Sequence, residues 1–148
     1  MLPLVKAGRL RALAVGGVLL AHFFAQHLPT GQLGVRLFFV ISGFLITERL
    51  LDARAAVAAG RGTAAAEIGR FFLRRVLRIF PAYYVLLTVL LVFDAGGIRA
   101  SAPWHLFHAS NLWFARTDDW QPWVVAHFWS LSIEEQFYLV WPWLIVLL

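Results

Sequence analysis

The chain has no cysteine, a single lysine and few charged residues for its length of 148. Without cysteine it forms no disulfide and offers no thiolate as a nucleophile or as a metal ligand. Charged residues make up 14% of the sequence, against roughly 25% in an ordinary soluble domain. Hydrophobic residues make up 61%, and the mean hydropathy is +0.73. This composition predicts an integral membrane protein.

Four apolar stretches approach or reach the roughly 20 residues that a membrane-spanning helix needs. They lie at 10–24, 33–51, 79–95 and 128–148. We therefore predict an all-α fold, a membrane helical bundle with about four transmembrane helices. The chain stops within the apolar run WLIVLL, with no capping or turn signal, so we interpret it as a truncated part of a larger multi-spanning domain.

The charge is strongly basic, with a formal net charge of +5 and twelve of the 13 basic residues being arginine. In a soluble protein this balance would suggest a nucleic-acid partner. Here the arginines cluster between the apolar runs, and seven of them lie between residues 49 and 78. The positive-inside rule then predicts a multi-pass protein of the cell membrane with the N-terminus and residues 52–78 in the cytoplasm, residues 94–126 outside, and no nucleic-acid partner.

Arg11 and His22 stand eleven positions apart in the first apolar stretch. Eleven residues are close to three helical turns, so both side chains lie on one face, separated by roughly 16 Å along the axis. Ionisable groups in a membrane helix are costly and often mark a functional path. A histidine bonded to another helix is the alternative interpretation, and a transport component would use the same pair as a relay.

Two further groups of polar residues flank the later stretches. Arg74, Arg75 and Arg78 precede the third stretch, where they either hold a loop in the cytoplasm or bind phosphate groups. Glu134 and Glu135 lie near the start of the fourth stretch, and adjacent helical residues point about 100° apart, so we expect one of them to face inward and the other to be paired or near an interface.

The histidines offer no evident metal site. His105 and His108 are three residues apart, but no third ligand stands nearby, so we predict no metal site.

Four motifs, taken in order and with their spacers, resemble the N-terminal part of the acyltransferase 3 family of multi-spanning membrane O-acyltransferases. They are the R-x10-H pair of Arg11 and His22, GVRLFFVISGFLIT at 34–47, RRVLRIFPAYY at 74–84 and WSLSIEEQFYLVWP at 129–142. The sequence departs from the family pattern at Gly8 and Arg9, where many members have Asp-Gly, and at Arg36, where many have Asp. The resemblance implies that 1–148 is a partial acyltransferase 3 transmembrane domain.

The resemblance also implies a reaction. An acyl group, most often acetyl, would pass from acyl-CoA on the cytoplasmic side to a hydroxyl of a surface glycan or another acceptor. His22 would act as the general base or a transient acyl carrier, Arg11 would hold the CoA end or polarise the thioester, and Glu134 would orient His22 or the hydroxyl.

Donor binding is implied for the arginines before the third stretch. Arg75 and Arg78, with Arg74 beside them, would bind the CoA phosphates. No permanently bound cofactor is implied, because acyl-CoA is a substrate. Apart from the bilayer, the expected partners are acyl-CoA and the acceptor. A transport component and a catalytically inactive remnant are the alternatives.

Overall fold

The computed structural model of the chain describes residues 30–148 together with the single residue 16. The described residues are helical and contain no strand, which confirms the all-α class for that part of the chain. Two compact units are present, Met1–Asp52 and Ala53–Leu148. The predicted span at 10–24 lies outside the described residues except for residue 16.

Five α-helices follow one another between residues 30 and 148. They are α1 (Thr30–Ala58), α2 (Ala64–Val92), α3 (Ala102–Leu106), α4 (Ser110–Thr117) and α5 (Phe128–Leu147), with 3-10 segments at Ala95–Ser101 and Trp123–Val125. Among the described residues, α2 is the one helix whose length and composition would let it cross a membrane. The four predicted spans are therefore not confirmed.

The turn between α1 and α2 is set by Gly60 and Thr63. Gly60 adopts φ +69°, and the N–H of Arg61 donates to the carbonyl of Ala56 at 2.9 Å, the long bond of a Schellman motif. Thr63 then caps α2, since its hydroxyl accepts from the N–H of Ala66 at 3.3 Å.

Helix α2 starts 15 residues earlier than the predicted span at 79–95. The intervening residues are mostly Ala, Arg, Leu and Phe, and none of them stops a helix once Thr63 has capped it. Pro81, expected in the first turn of a span, consequently lies inside α2. A continuous helix therefore joins the arginine-rich stretch to the apolar stretch.

The chain reverses direction after α2. Asp94 adopts a left-handed conformation with φ +48°, and its carboxylate accepts from the N–H of Arg99 at 3.1 Å. The Arg99 guanidinium donates from Nε to the carbonyl of Leu91 at 2.9 Å and from Nη2 to that of Val92 at 2.8 Å. A cation thus closes the carboxyl end of α2, where the helix dipole favours positive charge.

Residues 95–117, which we call the fold-back segment, then pack along α2. The hydroxyl of Tyr83 donates to the carbonyl of His105 at 2.7 Å, and that of Tyr84 donates to the carbonyl of Leu106 at 2.9 Å. Tyr83 lies nine residues before Val92, roughly 14 Å from the end of α2. The stretch predicted as an outer loop is therefore helical and reaches well down α2.

An apolar core fixes α5 beside α2 and the fold-back segment. Its buried members are Tyr83, Leu87, Ile98, Phe114, Val125 and Phe128. Because Phe128 is the first residue of α5, this core holds the start of the helix and brings its polar first half against the arginine-rich part of α2.

Candidate functional site

Arg75 of α2 binds both glutamates of α5. Its Nε donates to Glu135 Oε1 at 3.0 Å, and its Nη2 donates to Glu134 Oε2 at 3.4 Å. We expected one of the two adjacent carboxylates to face inward and the other to be paired or near an interface. A planar guanidinium spans two acceptors, so it holds both.

The Arg75 side chain is also stacked and largely buried. Its Cζ lies 3.3 Å from the centre of the Tyr138 ring, in cation–π contact. The side chains of Arg75, Glu134 and Glu135 are 15%, 10% and 12% exposed. One positive charge therefore faces two negative charges in a poorly solvated place, and a phosphate there would meet two carboxylates.

Arg74 and Arg78 have different surroundings from Arg75. Both are exposed, and within residues 30–148 neither forms a hydrogen bond or an ion pair. Arg78 is four residues after Arg74, and Arg74 is four residues after Arg70, whose Nη2 binds Glu67. Positions spaced by four share a helix face, so α2 carries an arginine stripe made of Arg70, Arg74 and Arg78.

His105 lies at the centre of a buried hydrogen-bonded network. Its Nε2 is 2.9 Å from the hydroxyl of Ser101, and its Nδ1 is 2.8 Å from that of Ser110. The N–H of Ser110 donates to the hydroxyl of Ser132 at 3.2 Å, which ties the network to α5. Burial lowers the pKa of His105 to about 4, so the ring is neutral near pH 7.

His108 is also buried, but its ring is held by stacking. The ring centre lies 4.2 Å from that of Tyr83 and 5.2 Å from that of Phe80, with the planes close to parallel. Neither ring nitrogen has a hydrogen-bond partner among the described residues. Burial lowers the pKa of His108 as well, so this imidazole is also neutral near pH 7.

A pair of amide side chains fastens the fold-back segment to α5 beside His108. Asn111 Nδ2 donates to Gln136 Oε1 at 3.0 Å, and Gln136 Nε2 donates to Asn111 Oδ1 at 2.9 Å. Gln136 Nε2 also donates to the carbonyl of His108 at 3.0 Å. The position of His108 is therefore fixed through its backbone.

The structure brings together some of the predicted site residues. Glu134 and Arg75 are in contact, whereas Arg74 and Arg78 point away from that cluster and into solvent. His22 and Arg11 lie outside the described residues.

Sequence reasoning missed the parts that Glu135, Tyr138, Asn111 and Gln136 play. The polar stripe of Ser132 and Gln136 at helical spacing was a signal for this side of α5. Their partners are 22 and 25 residues away in the chain, and no local pattern points to them.

Comparison with known proteins identifies the class of protein to which this arrangement of α2 and α5 belongs. The chain belongs to the acyltransferase 3 family, because the family's profile, described as an acyltransferase domain, matches residues 9–148. The resemblance drawn from the four motifs is thereby confirmed.

Several relatives carry names that specify the acyl group. The chain is 35% identical over 146 residues to the peptidoglycan O-acetyltransferase OatA of Listeria monocytogenes, covering 90% of this chain and 22% of that protein. It is 36% identical over 151 residues to the O-acetyltransferase OatA of Staphylococcus aureus, covering 94% of this chain and 24% of that protein. A putative O-acetyltransferase of Staphylococcus aureus is 38% identical over 156 residues, with 94% and 24% covered.

The chain thus spans less than a quarter of the length of these curated relatives. No solved structure matches it.

Proposed function

We propose that the chain is part of a membrane O-acyltransferase that transfers an acyl group, most often acetyl, from acyl-CoA to a hydroxyl of a cell-surface glycan such as peptidoglycan. Membership of the acyltransferase 3 family supports the reaction class. The names of the relatives support acetyl as the acyl group and a glycan as the acceptor. The arginine stripe is the observation on the described residues that carries the proposal furthest.

The arginine stripe supplies the donor site in this proposal. Arg74 and Arg78 are exposed, keep their N–H donors available to a ligand, and lie about 6 Å apart along α2. Guanidinium groups bind phosphate oxygens with paired hydrogen bonds, so two of them suit a nucleotide that carries several phosphates. The sequence analysis included Arg75 among the residues that bind the donor. In this proposal Arg75 instead joins α2 to α5 through Glu134 and Glu135.

The family pattern assigns the chemistry to residues of other motifs. In the proposed reaction His22 removes the proton from the acceptor hydroxyl while that oxygen attacks the thioester carbonyl. The carbon–sulfur bond breaks, and the departing CoA thiolate takes up a proton. Arg11 would stabilise the charge on the carbonyl oxygen, and Glu134 would orient the acceptor hydroxyl.

Placement in the cell membrane is part of the same proposal. Leu77 and Val85 of α2 are each 66% exposed, an unfavourable arrangement in water for a helix this apolar. A bilayer, or further helices within it, would cover such a face. We propose a multi-pass protein with a cytoplasmic N-terminus, which puts the arginine stripe on the side where acyl-CoA is available.

The test uses the full-length protein reconstituted in lipid vesicles, with labelled acetyl-CoA and soluble glycan-strand fragments of peptidoglycan. We expect label in alkali-sensitive ester linkage on the glycan, and we expect His22→Ala to abolish it without changing the amount of inserted protein. Arg78→Ala should raise the KM for acetyl-CoA about tenfold, while Arg61→Ala, another exposed arginine near the start of α2, should not.

Two results would contradict the proposal. Full label transfer by His22→Ala at normal protein levels would remove His22 from the reaction. Equal KM values for acetyl-CoA in the Arg78→Ala and Arg61→Ala proteins would remove the arginine stripe from the donor site.

A further inference from the structure

The packing around His108 leaves the hydrogen-bonding groups of its ring unpaired. Its side chain is buried, with 8% of its surface exposed, yet both ring nitrogens lack a hydrogen-bond partner among the described residues. Buried polar groups are nearly always hydrogen-bonded, because desolvating them without a partner is unfavourable. A buried ring with both nitrogens unpaired therefore indicates that a partner comes from elsewhere.

The backbone at His108 is also unusual. Its φ is +51°, in the left-handed region that residues other than glycine rarely adopt. The surrounding structure enforces this conformation through the bond from Gln136 Nε2 to the His108 carbonyl and through the stacking on Tyr83 and Phe80. Such local strain is retained mostly at functional sites.

His105, three residues earlier, gives the internal comparison. That histidine is buried as well, but each of its ring nitrogens lies within hydrogen-bond distance of a hydroxyl, of Ser101 or of Ser110. The fold-back segment thus satisfies one buried imidazole with local hydroxyls and leaves the next one without them. A hydroxyl is therefore the kind of group that this segment already pairs with imidazole.

The position of His108 along α2 connects the two ends of the proposed reaction. The fold-back segment follows the end of α2 that we place outside, yet it carries His108 down to Phe80, two residues and roughly 3 Å along the axis from Arg78. Acyl transfer requires the acceptor hydroxyl to meet the acyl end of the donor, so an acceptor site must reach inward from the outer side. His108 reaches inward along α2 as far as Phe80.

We propose that His108 binds a hydroxyl of the acceptor glycan, and this inference rests on the proposed function. A neutral imidazole donates from one nitrogen and accepts at the other, which matches a sugar hydroxyl. Phe107, the preceding residue in the chain, is 81% exposed and offers an apolar face for a sugar ring. Since both nitrogens are buried in the structure, binding requires an outward movement of the fold-back segment.

The experiment separates the effect of hydrogen bonding by the ring nitrogens from the effect of stacking by the ring. In the full-length protein, His108→Phe keeps the stacking on Tyr83 and Phe80 but removes both nitrogens, and His108→Gln keeps a donor and an acceptor. We expect His108→Phe to raise the KM for glycan-strand fragments about tenfold, with the KM for acetyl-CoA unchanged, and His108→Gln to stay within about threefold of the wild type.

Wild-type kinetics in His108→Phe would overturn the inference, since stacking alone would then suffice. Parallel rises in both KM values, or equal losses in both variants, would also overturn it, because they indicate a packing role.

A binding measurement distinguishes failure of this inference from failure of the proposed function. Glycan-strand fragments are added to the His22→Ala protein, and amide hydrogen exchange is followed in residues 102–117. Protection that depends on the fragments and disappears in His22→Ala/His108→Phe supports the acceptor site. If the wild type shows this binding but transfers no acetyl group, the proposed function is wrong and the acceptor site stands. If His108→Phe leaves fragment binding unchanged, the inference about His108 is wrong and the proposed function is unaffected.

Discussion

Arg75 carries one positive charge between two carboxylates that are as poorly solvated as it is. One edge of its guanidinium donates hydrogen bonds to Glu135 and Glu134, and the guanidinium lies over the ring of Tyr138. Removing one partner from a buried ion pair costs more than the pair contributes, because the remaining charge stays desolvated. Here removal of Arg75 would leave two adjacent carboxylates.

We therefore expect Arg75→Met to destabilise the protein by about 3–5 kcal/mol. The measurement is the thermal unfolding midpoint in detergent, followed by intrinsic tryptophan fluorescence. Arg74→Met is the matched control, since Arg74 is exposed and should change stability by no more than about 0.5 kcal/mol. Adding Glu134→Gln and Glu135→Gln to Arg75→Met should restore much of the loss. Equal midpoints for the two single variants would contradict this account of the cluster.

His105 makes stability depend on pH. Its pKa is about 4 in the folded protein and about 6.5 when unfolded, so between these values the unfolded chain binds more protons than the folded one. Stability is therefore fully present above about pH 6.5 and falls as the pH drops toward 4. A shift of that size corresponds to roughly 3 kcal/mol.

We expect the unfolding midpoint of the wild type to fall between pH 6.5 and 4, and this fall to be smaller in His105→Gln. His127→Gln serves as the control because His127 is exposed and carries no comparable burial. Burial acts on the pKa of His108 in the same direction, so part of the pH dependence should remain in His105→Gln. An unchanged pH dependence in His105→Gln would show that another group is responsible.

At the level of elements, two tyrosines of α2 hold the fold-back segment. The Tyr83 hydroxyl is buried with the His105 carbonyl, whereas the equivalent bond from Tyr84 to Leu106 is exposed. A buried carbonyl that loses its donor is left unsatisfied, while an exposed one can bond to solvent. The two bonds are otherwise alike in length and in sequence separation.

Tyr83→Phe should therefore destabilise the fold-back segment by about 1–3 kcal/mol, and Tyr84→Phe by a smaller amount. Amide hydrogen exchange over residues 102–117 is the measurement, because it reports local opening. Faster exchange in Tyr83→Phe than in Tyr84→Phe is the expected order. The reverse order would mean that Tyr84 anchors the segment.

The sequence was sufficient to predict helices with long apolar runs, and it was insufficient where distant residues meet. The apolar runs at 33–51 and 128–148 lie in α1 and α5, and Gly60 and Gly62 interrupt the helices as their conformational freedom suggests. The early start of α2 was missed because positive charge was taken as a loop signal, although arginine is a good helix former. The pairing of Arg75 with Glu134 and Glu135 joins residues about 60 positions apart, so it depends on packing that no local spacing encodes.

On the scale of the whole molecule, much of the apolar surface of the described part is uncovered. Large exposed side chains occur along both long helices of the second unit: Leu73, Leu77, Val85, Val89 and Val92 on α2, and Leu139, Val140, Trp143 and Leu147 on α5. Patches of this extent are rare on monomeric soluble proteins. The proposed placement in the cell membrane would cover these side chains with lipid or with other helices.

The orientation of α2 in the bilayer can be tested directly because the natural chain has no cysteine, so a single introduced thiol is the only one in this region. Arg61 lies in the turn before α2 and Arg116 lies in α4, and both are exposed. If α2 crosses the membrane with its arginine-rich end in the cytoplasm, Arg116→Cys should react with a membrane-impermeant maleimide in intact cells. Arg61→Cys should react only after permeabilisation.

Labelling of both thiols from the same side would show that α2 does not cross, and the opposite pattern would invert the proposed topology. The outer position of Arg116 would also put the fold-back segment, with His108, on the side where a surface glycan is available.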